Sequence, residues 1–378
     1  MILVFLTFLL MPYLSLRMGF RKRAAVERIL VVQTAKIGDW VCSTPVFRAI
    51  RRRYPSARLH AMVNPLTQPL ALLDPNVDEA IAIQSRELRG LYGKIRVSRR
   101  IREGRYDVAV CLNPNVPFAV TLCWGLVPLR LSVLPDFLGP TFRIASRFFS
   151  RLEPHVHGRM VIETYLRMLE AIDVRENDIS RAVHRVQGAE TAAAMVLAEV
   201  PRGARLIGIA VSSGNKMKEL GTAKIVFLCD RLTEDPAVRI VLVGSGGDRG
   251  KAAEVIARAR RPDRIVAAAG ALSLAKLPAL LERLSLVIGV DTGTLYMADS
   301  LSVPVIDIAG PEDMEDQRPI GEKSVIIRSE APCAPCSHAF QAPYECCTGT
   351  RECVGSFSTA EVVRVAERLL AKAEGGGG

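Results

Sequence analysis

Apolar, β-branched runs alternate with helix-like amphipathic stretches along most of the chain. In the first half these runs fall at residues 28–34, 58–63, 78–83 and 106–112, each bounded by polar or turn-forming residues. Short apolar runs are typical of strands buried on both faces, and their alternation with helices indicates β-α units of parallel sheet. The pattern predicts an α/β domain with helices on both faces of its sheet.

A second series of apolar runs begins near residue 205, after a polar stretch without strand pattern over residues 174–204. Two series of this kind predict two doubly wound parallel-sheet domains in one chain. The runs of the second series are residues 206–212, 239–244, 264–270, 286–290 and 303–309.

The first sixteen residues carry no charge and are followed by Arg17 and by Arg-Lys-Arg at residues 21–23. A secretory signal has its positive charge before the apolar run, so this order argues against one. The run is short for a span and contains Pro12. We predict that it associates with a membrane and leaves the rest of the chain in the cytoplasm. An interfacial helix and a mis-assigned start site remain alternatives.

The chain thus divides into five predicted segments. They are an apolar membrane-associating segment (1–24), a first sheet domain (25–180), a second sheet domain (181–357), a C-terminal helix (358–373) and a disordered tail (374–378).

The composition is that of an ordinary globular protein, since 49% of the 378 residues are hydrophobic and 24% are charged. A net charge of +11 indicates an anionic partner: nucleic acid, an anionic membrane face or a phosphorylated substrate. Aromatic residues make up only 6%, and no basic stretch is interleaved with them. Nucleic acid is therefore the weakest of the three.

Ligands of open α/β sheets bind outside the carboxyl ends of the strands, so the residues after each run are the candidates for chemistry. Gly38 and Asp39 follow the first run. Asp39 can cap the next helix, where the helix dipole favours a carboxylate. It can also act as a general base that takes a proton from a sugar hydroxyl. The local sequence favours the cap.

In the second series, Ser212 and Ser213 precede Lys218, and this loop can either hold phosphate oxygens or be a solvated loop. Gly244 and Asp248 lie in a glycine-rich turn that can lie beside a nucleotide, but Arg249 occupies the third glycine position of a dinucleotide fingerprint. NAD binding is therefore not supported. Asp248 can cap a helix or hold a ribose hydroxyl, and capping is the simpler role.

Asp291, Thr292 and Gly293 follow the run at 286–290 and begin a helix. The unpaired N–H groups of a helix start bind anions, so Thr292 and Gly293 are candidates for a diphosphate. Asp291 carries the wrong charge for phosphate, and we expect it to cap the helix and orient those N–H groups.

Five cysteines crowd into residues 333–353. Zinc held by Cys333, Cys336, Cys346 and Cys353 is one interpretation, although the spacing is irregular. Disulfides or partner-bound thiols, and ordinary reduced cysteines, are the other two. The chain has no Ser-His-Asp order and no His-Glu-x-x-His motif, so hydrolase and metalloprotease functions lack support.

The segments ILVVQTAKIGDWVCSTP and GVDTGTLYMADSLSVPVIDIAGPED, with a serine and lysine loop between them and Cys-x-x-Cys after them, form a familiar order. Over residues 28–372 the chain resembles glycosyltransferase family nine, the bacterial heptosyltransferases of lipopolysaccharide core assembly. The resemblance implies the GT-B architecture, with two facing Rossmann-like domains, a cleft between them, the acceptor in the first and the donor in the second. It also implies inverting transfer from ADP-heptose without a metal or other cofactor.

The resemblance assigns the catalytic base to Asp39 and a donor-phosphate contact to Lys218, in a motif where Leu220 replaces the usual aromatic residue. It places Asp291, Thr292 and Gly293 at the donor diphosphate. Tyr296 stands where the family has histidine; it can donate a hydrogen bond but carries no positive charge at neutral pH.

The implied enzyme acts on a nucleotide sugar and a lipid-linked or lipopolysaccharide-core saccharide, at the anionic inner face of the bacterial inner membrane and without nucleic acid. Arg51 and Arg52 can meet acidic groups of that acceptor, or they can form a solvated helix end. A GT-B nucleotide-sugar epimerase or hydrolase, and a non-catalytic sugar-nucleotide-binding assembly protein, are the competing functions.

Overall fold

The computed structural model describes residues 2–20, 25–136 and 139–375, so residues 21–24 of the predicted membrane-associating segment and 376–378 of the predicted tail lie outside the described residues. The chain divides into two units between Arg181 and Ala182. Each unit contains one six-stranded sheet in which all strands are parallel.

The first unit has its strands in the order β3-β2-β1-β4-β5-β6. The strands are β1 (Arg28–Gln33), β2 (Arg58–Val63), β3 (Glu79–Ala82), β4 (Val108–Cys111), β5 (Leu129–Leu134) and β6 (Arg151–Pro154). The helices are α1 (Ile2–Gly19), α2 (Ile37–Arg53), α3 (Gln68–Ala71), α4 (Gly90–Gly104), α5 (Val116–Trp124), α6 (Pro140–Ala145) and α7 (Val161–Met168).

The second unit repeats this layout, with its strands in the order β12-β11-β10-β7-β8-β9. The strands are β7 (Arg205–Ala210), β8 (Val238–Val243), β9 (Ile265–Ala267), β10 (Leu286–Val290), β11 (Val305–Ala309) and β12 (Ser324–Arg328). The helices are α8 (Ala189–Val196), α9 (Thr222–Leu232), α10 (Arg249–Arg258), α11 (Leu277–Leu281), α12 (Gly293–Ser300), α13 (Glu352–Gly355) and α14 (Thr359–Gly375).

Both sheets have the strand order of doubly wound folds, so the predicted fold class is confirmed. The winding direction reverses between β1 and β4 in the first unit and between β7 and β10 in the second. At such a switch point the connections leave the sheet in opposite directions and open a crevice outside the strand ends. The topology alone therefore marks one candidate ligand site in each unit.

Nine strands coincide with predicted runs, whereas β5, β6 and β12 were not predicted. Their sequences explain the difference. β5 contains Arg130, β6 is the polar segment Arg-Leu-Glu-Pro, and β12 is a half-buried edge strand. These strands lack the continuous apolar run of a strand covered on both faces.

Candidate active site

Asp39 lies at the switch point of the first unit, just after β1. It is the third residue of α2, not its N-cap, and its carboxylate Oδ2 accepts a hydrogen bond from the Lys36 N–H at 3.1 Å. A carboxylate at this position satisfies an N–H at the start of the helix and is favoured by the helix dipole. The side chain remains half-buried rather than enclosed. Helix stabilisation and a chemical role at the strand end are therefore compatible.

Polar side chains from neighbouring elements surround this position. The buried Gln33 side chain donates to the Asp39 carbonyl oxygen at 3.4 Å and accepts from the Ala35 N–H at 3.3 Å. Asn113, which follows β4, accepts hydrogen bonds from the Thr34 N–H and hydroxyl. These hydrogen bonds join the loop after β1 to the loop after β4 and hold the backbone around Asp39 in place.

Tyr165 on α7 is close enough to Asp39 for the charge of that carboxylate to affect its pKa. Its hydroxyl donates to the Leu112 carbonyl at 3.1 Å beneath the same strand ends. Burial, followed by the negative charge of Asp39, raises the Tyr165 pKa well above its ordinary value. The phenol therefore stays protonated.

Arg51 and Arg52 lie in the last turn of α2, near the amino ends of the strands, whereas Asp39 lies near their carboxyl ends. Arg51 pairs with Asp78 at 2.7 Å and also donates to the Asn76 carbonyl at 2.9 Å, just before β3. Arg52 pairs with Glu176 at 2.6 Å. The structure does not bring these arginines to Asp39, so their placement gives no support to an acceptor contact.

Lys218 lies at the switch point of the second unit, in the loop after β7. Its Nζ lies 2.5 Å from Asp291 Oδ2, after β10, and 2.7 Å from Glu312 Oε1, after β11. All three side chains are at most 14% exposed. One ammonium and two carboxylates from three strand ends thus form a mostly buried cluster, which we call the Lys218 cluster.

Burial and mutual repulsion set the protonation of this cluster. Burial lowers the Lys218 pKa, but Asp291 and Glu312 outweigh it and hold the pKa above its usual range. Burial raises the Glu312 pKa to about 7; Lys218 opposes this rise and Asp291 adds to it. Asp307, inside β11, is fully buried without a hydrogen-bond partner among the described residues. Burial, with Asp291 and Glu312, raises its pKa well above the ordinary value.

Thr292 and Gly293 form the start of α12. Thr292 has extended backbone angles and occupies the N-cap position, and Gly293 is the first helical residue. The expectation that Asp291 caps this helix is wrong, because its carboxylate pairs with Lys218 instead. Gly289 in β10 allows α12 to lie close to the sheet, since a Cβ there would come 2.8 Å from Leu295 Cδ1. The helix start is thereby placed beside the Lys218 cluster.

Tyr296, on the first turn of α12, contacts the Lys218 cluster through Asp291. Its side chain is 1% exposed and its hydroxyl donates to Asp291 Oδ1. Asp291 thus holds Lys218 through one oxygen and Tyr296 through the other. Tyr296 orients Asp291, and the described contacts give it no exposed face for a ligand.

Ser212, Ser213, Gly244 and Asp248 occupy the neighbouring loops after β7 and β8. Ser213 is buried and its N–H donates to Glu219 Oε1 at 3.2 Å. Asp248 occupies the N-cap position of α10 but makes no side-chain capping bond to that helix; its carboxylate instead accepts from the Ser245 N–H and hydroxyl at 2.7 and 2.6 Å. Burial raises the Asp248 pKa, but hydrogen bonds from Ser245 and Ser212 lower it below the ordinary value.

The late cysteines are all free thiols. Burial raises the Cys353 pKa to about 11, whereas hydrogen bonds from Thr348 and from the Arg351 N–H lower the Cys346 pKa to about 7. Among the described residues, no three cysteine sulfurs stand close enough together to hold one metal ion. Zinc at Cys333, Cys336, Cys346 and Cys353 stays a prediction without geometric support.

Glu312 and Asp307 are the site residues that sequence reasoning missed. Glu312 follows the run at 303–309, so the rule that selected Asp39 and Lys218 could have found it. Asp307 interrupts an otherwise apolar strand that is buried along its length. An acid in such a strand is costly unless it is neutral or paired, and that signal was available.

Known proteins are similar to this chain over most of its length. Residues 95–345 match the family model for glycosyltransferase family 9 (heptosyltransferase). The chain is 22% identical to lipopolysaccharide heptosyltransferase 3 of Escherichia coli K12 over 292 residues, which cover 76% of this chain and 84% of the relative. It is 25% identical to lipopolysaccharide heptosyltransferase 1 of Pseudomonas aeruginosa over 321 residues, which cover 82% and 86%.

Among solved structures, E. coli ADP-heptose lipopolysaccharide heptosyltransferase II superposes with a TM-score of 0.72 at 18% identity, covering 92% of this chain and 99% of the other.

Proposed function

The chain belongs to glycosyltransferase family 9, and from this premise we propose that it transfers a heptose from an ADP-activated donor to a saccharide of the lipopolysaccharide core. The solved structures share its GT-B fold, and the family is one of glycosyltransferases. The donor, the stereochemistry and the acceptor are our proposals. They rest on the residues at the two switch points and on the names of the relatives.

The observation that carries the proposal is the placement of one base candidate and one buried lysine at topologically equivalent points. Asp39 follows β1 in the first unit, and Lys218 follows β7, the corresponding first strand of the second unit. Glycosyl transfer needs a base for the acceptor hydroxyl and positive charge for the departing diphosphate. In this proposal the first unit provides the base, Asp39, and the second unit provides the positive charge, Lys218.

The proposed reaction is a single displacement. Asp39 takes the proton of the acceptor hydroxyl as that oxygen attacks the anomeric carbon of the donor. The bond from this carbon to the diphosphate oxygen breaks with its electron pair, and ADP leaves. Attack opposite the leaving group inverts the anomeric configuration.

The departing diphosphate carries negative charge that the protein must stabilise. Lys218 Nζ and the N–H groups at the start of α12, beginning with Gly293, provide oriented donors there. Asp291 and Glu312 already share the Lys218 ammonium. A diphosphate is therefore attracted to Lys218 most strongly when Glu312 is protonated and carries no charge. We therefore propose that the donor binds the protonated form of Glu312. Charge stabilisation in this scheme uses protein groups and no metal ion.

The acceptor and the net charge suggest where the enzyme works. A lipid-linked core saccharide is anchored in the inner membrane, and a chain with a net charge of +11 is attracted to an anionic leaflet. We propose the cytoplasmic face of that membrane as the site of action.

The test is turnover of ADP-heptose by the purified protein, with and without a lipopolysaccharide-core acceptor and with EDTA present. We expect ADP release and a glycosylated product only with acceptor, the opposite anomeric configuration in NMR spectra, and no effect of EDTA. Free heptose or an epimer formed without acceptor would instead indicate an epimerase or hydrolase. Binding of ADP-heptose without any turnover would indicate a non-catalytic binding protein. Loss of turnover in EDTA would refute the metal-independent scheme.

A further inference from the structure

Helix α1 is apolar on two opposite faces. It is long and apolar enough to cross a membrane by length and composition alone. Its inner face packs on the first unit from one end of the helix to the other: Val4 in the first turn and Leu14 and Met18 in the last turns are buried in the core that also contains α5. A helix fixed along its whole length in this way is part of the domain.

Specific polar contacts reinforce the inner face. The Trp124 Nε1–H on α5 donates to the buried Thr7 hydroxyl at 3.1 Å. The rings of Phe8 and Phe148 lie 4.7 Å apart, and a guanidinium N–H of the buried Arg130 lies 3.0 Å from Met18 Sδ. If α1 left the domain to span a bilayer, the Trp124 donor would lose its buried partner and Arg130 would lose its contact with Met18. These contacts favour the docked position.

The outer face of α1 is a continuous apolar stripe, which we call the outer stripe. Its members recur every three or four residues, as one helical face requires. They are 57–84% exposed, although each is large and apolar: Ile2, Phe5, Leu9, Tyr13, Leu16 and Phe20. An exposed apolar patch of this size marks an interaction surface.

The segments that contain α1 and its neighbour α6 carry basic residues and no acidic ones. Residues 2–26 and 139–152 contain no aspartate or glutamate. Arg17 closes α1, and Arg143 and Arg147 are exposed beside it, on a segment whose Phe142 and Phe148 pack in the same core as α1. A basic rim around an apolar stripe complements anionic headgroups around an acyl region.

We propose that α1 lies flat on an anionic lipid bilayer, with the outer stripe among the acyl chains and Arg17, Arg143 and Arg147 at the headgroups. The inner face meanwhile remains bound to the domain. The first unit is thereby held on the membrane surface. This inference is independent of the proposed reaction, since a protein without transferase activity would still bind.

A second copy of the chain is the other occupant that an apolar stripe admits. A two-fold interface pairs a surface with itself, so each basic segment would face the basic segments of the other copy, and like charges repel. No carboxylate in residues 2–26 or 139–152 could offset that repulsion. The charge pattern therefore favours lipid.

The test uses the full chain and vesicles of phosphatidylethanolamine with phosphatidylglycerol, against vesicles of phosphatidylcholine. We expect binding to the anionic vesicles, and at least ten-fold weaker partitioning for Leu9→Glu and for Leu16→Glu, which place a charge in the acyl region. Leu72→Glu is the matched control, because Leu72 is 63% exposed on the same unit but outside α1. It should bind as the wild type does.

Charge variants test the rim without touching the stripe. Arg143→Gln and Arg147→Gln should each weaken binding to anionic vesicles about five-fold, as expected for loss of one basic residue near such a surface. Bound protein should also redistribute to a second vesicle population added later, since a surface helix binds reversibly.

Three results would overturn the inference. One is equal binding by Leu9→Glu and Leu72→Glu. Another is failure of bound wild type to redistribute, which indicates a spanning helix. The third is that the wild type does not bind vesicles but forms a dimer in light scattering, and that Leu9→Glu converts this dimer to monomers.

Discussion

Glu312 links the stability of the second unit to pH, and Glu312→Gln tests that link. Its carboxyl has a pKa of about 7 in the folded protein against an ordinary value of 4.5. The folded state therefore holds this proton more tightly than the unfolded chain. Its contribution to stability is complete below pH 4.5 and is lost as the pH rises through 7.

The size of the effect follows from the two pKa values. The difference between 4.5 and about 7 corresponds to about 3 kcal/mol of unfolding free energy, because one pH unit is worth about 1.4 kcal/mol. Glutamine keeps the shape of the protonated side chain and cannot ionise. The free energy of unfolding of Glu312→Gln, relative to wild type, should therefore rise by about 3 kcal/mol between pH 4.5 and 8.

Hydrogen exchange read by mass spectrometry on peptides from β10 and β11 measures this change in the second unit. Tryptophan fluorescence is unsuitable, because Trp40 and Trp124 are both in the first unit. Comparing variant and wild type at each pH cancels the intrinsic exchange rates. Glu322→Gln, the same change on an exposed side chain of the second unit, should show no pH-dependent difference. A difference between Glu312→Gln and wild type that stays flat with pH would refute the assigned protonation.

Two further substitutions test the packing around the Lys218 cluster. Gly289→Ala places a methyl group 2.8 Å from Leu295 Cδ1 and should destabilise the protein by about 1–3 kcal/mol in urea unfolding. The control Gly355→Ala meets nothing within 4 Å and should change little, so equal effects would contradict the close-packing argument. Tyr296→Phe removes the hydroxyl that donates to Asp291 and should cost about 1–3 kcal/mol in the same assay. An unchanged unfolding curve would show that this hydrogen bond does not support the Lys218 cluster.

The sequence predicted the fold through the strands that are buried on both faces. Those strands, such as β1 and β10, are continuous apolar runs, and the residues after them, Asp39 and Asp291, were found by position alone. The strands that were missed carry polar residues, as in β6, and lack this signal. Periodicity therefore located the centre of each sheet and one of its edge strands, β3 or β9, but missed the opposite edge.

The candidate site was predictable only where a residue lies at a strand end. Arg51 was predicted to meet acidic groups of the acceptor, but twelve residues at about 1.5 Å each carry it about 18 Å along α2 from Asp39. The expected capping role of Asp291 failed for another reason. Its partner Lys218 comes from the loop after β7, and its partner Tyr296 comes from the first turn of α12. Only the folded structure shows that both side chains contact Asp291.

The most direct test of the central claim is the turnover of Asp39→Asn with ADP-heptose and a core acceptor. Loss of a general base should lower kcat by about 10²- to 10⁴-fold. The KM for the donor should change by less than about two-fold, because the proposed donor contacts lie in the other unit. Asp173→Asn is the control: Asp173 is exposed in the first unit and has a positive φ that asparagine tolerates. Transfer by Asp39→Asn at the rate of this control would contradict the account.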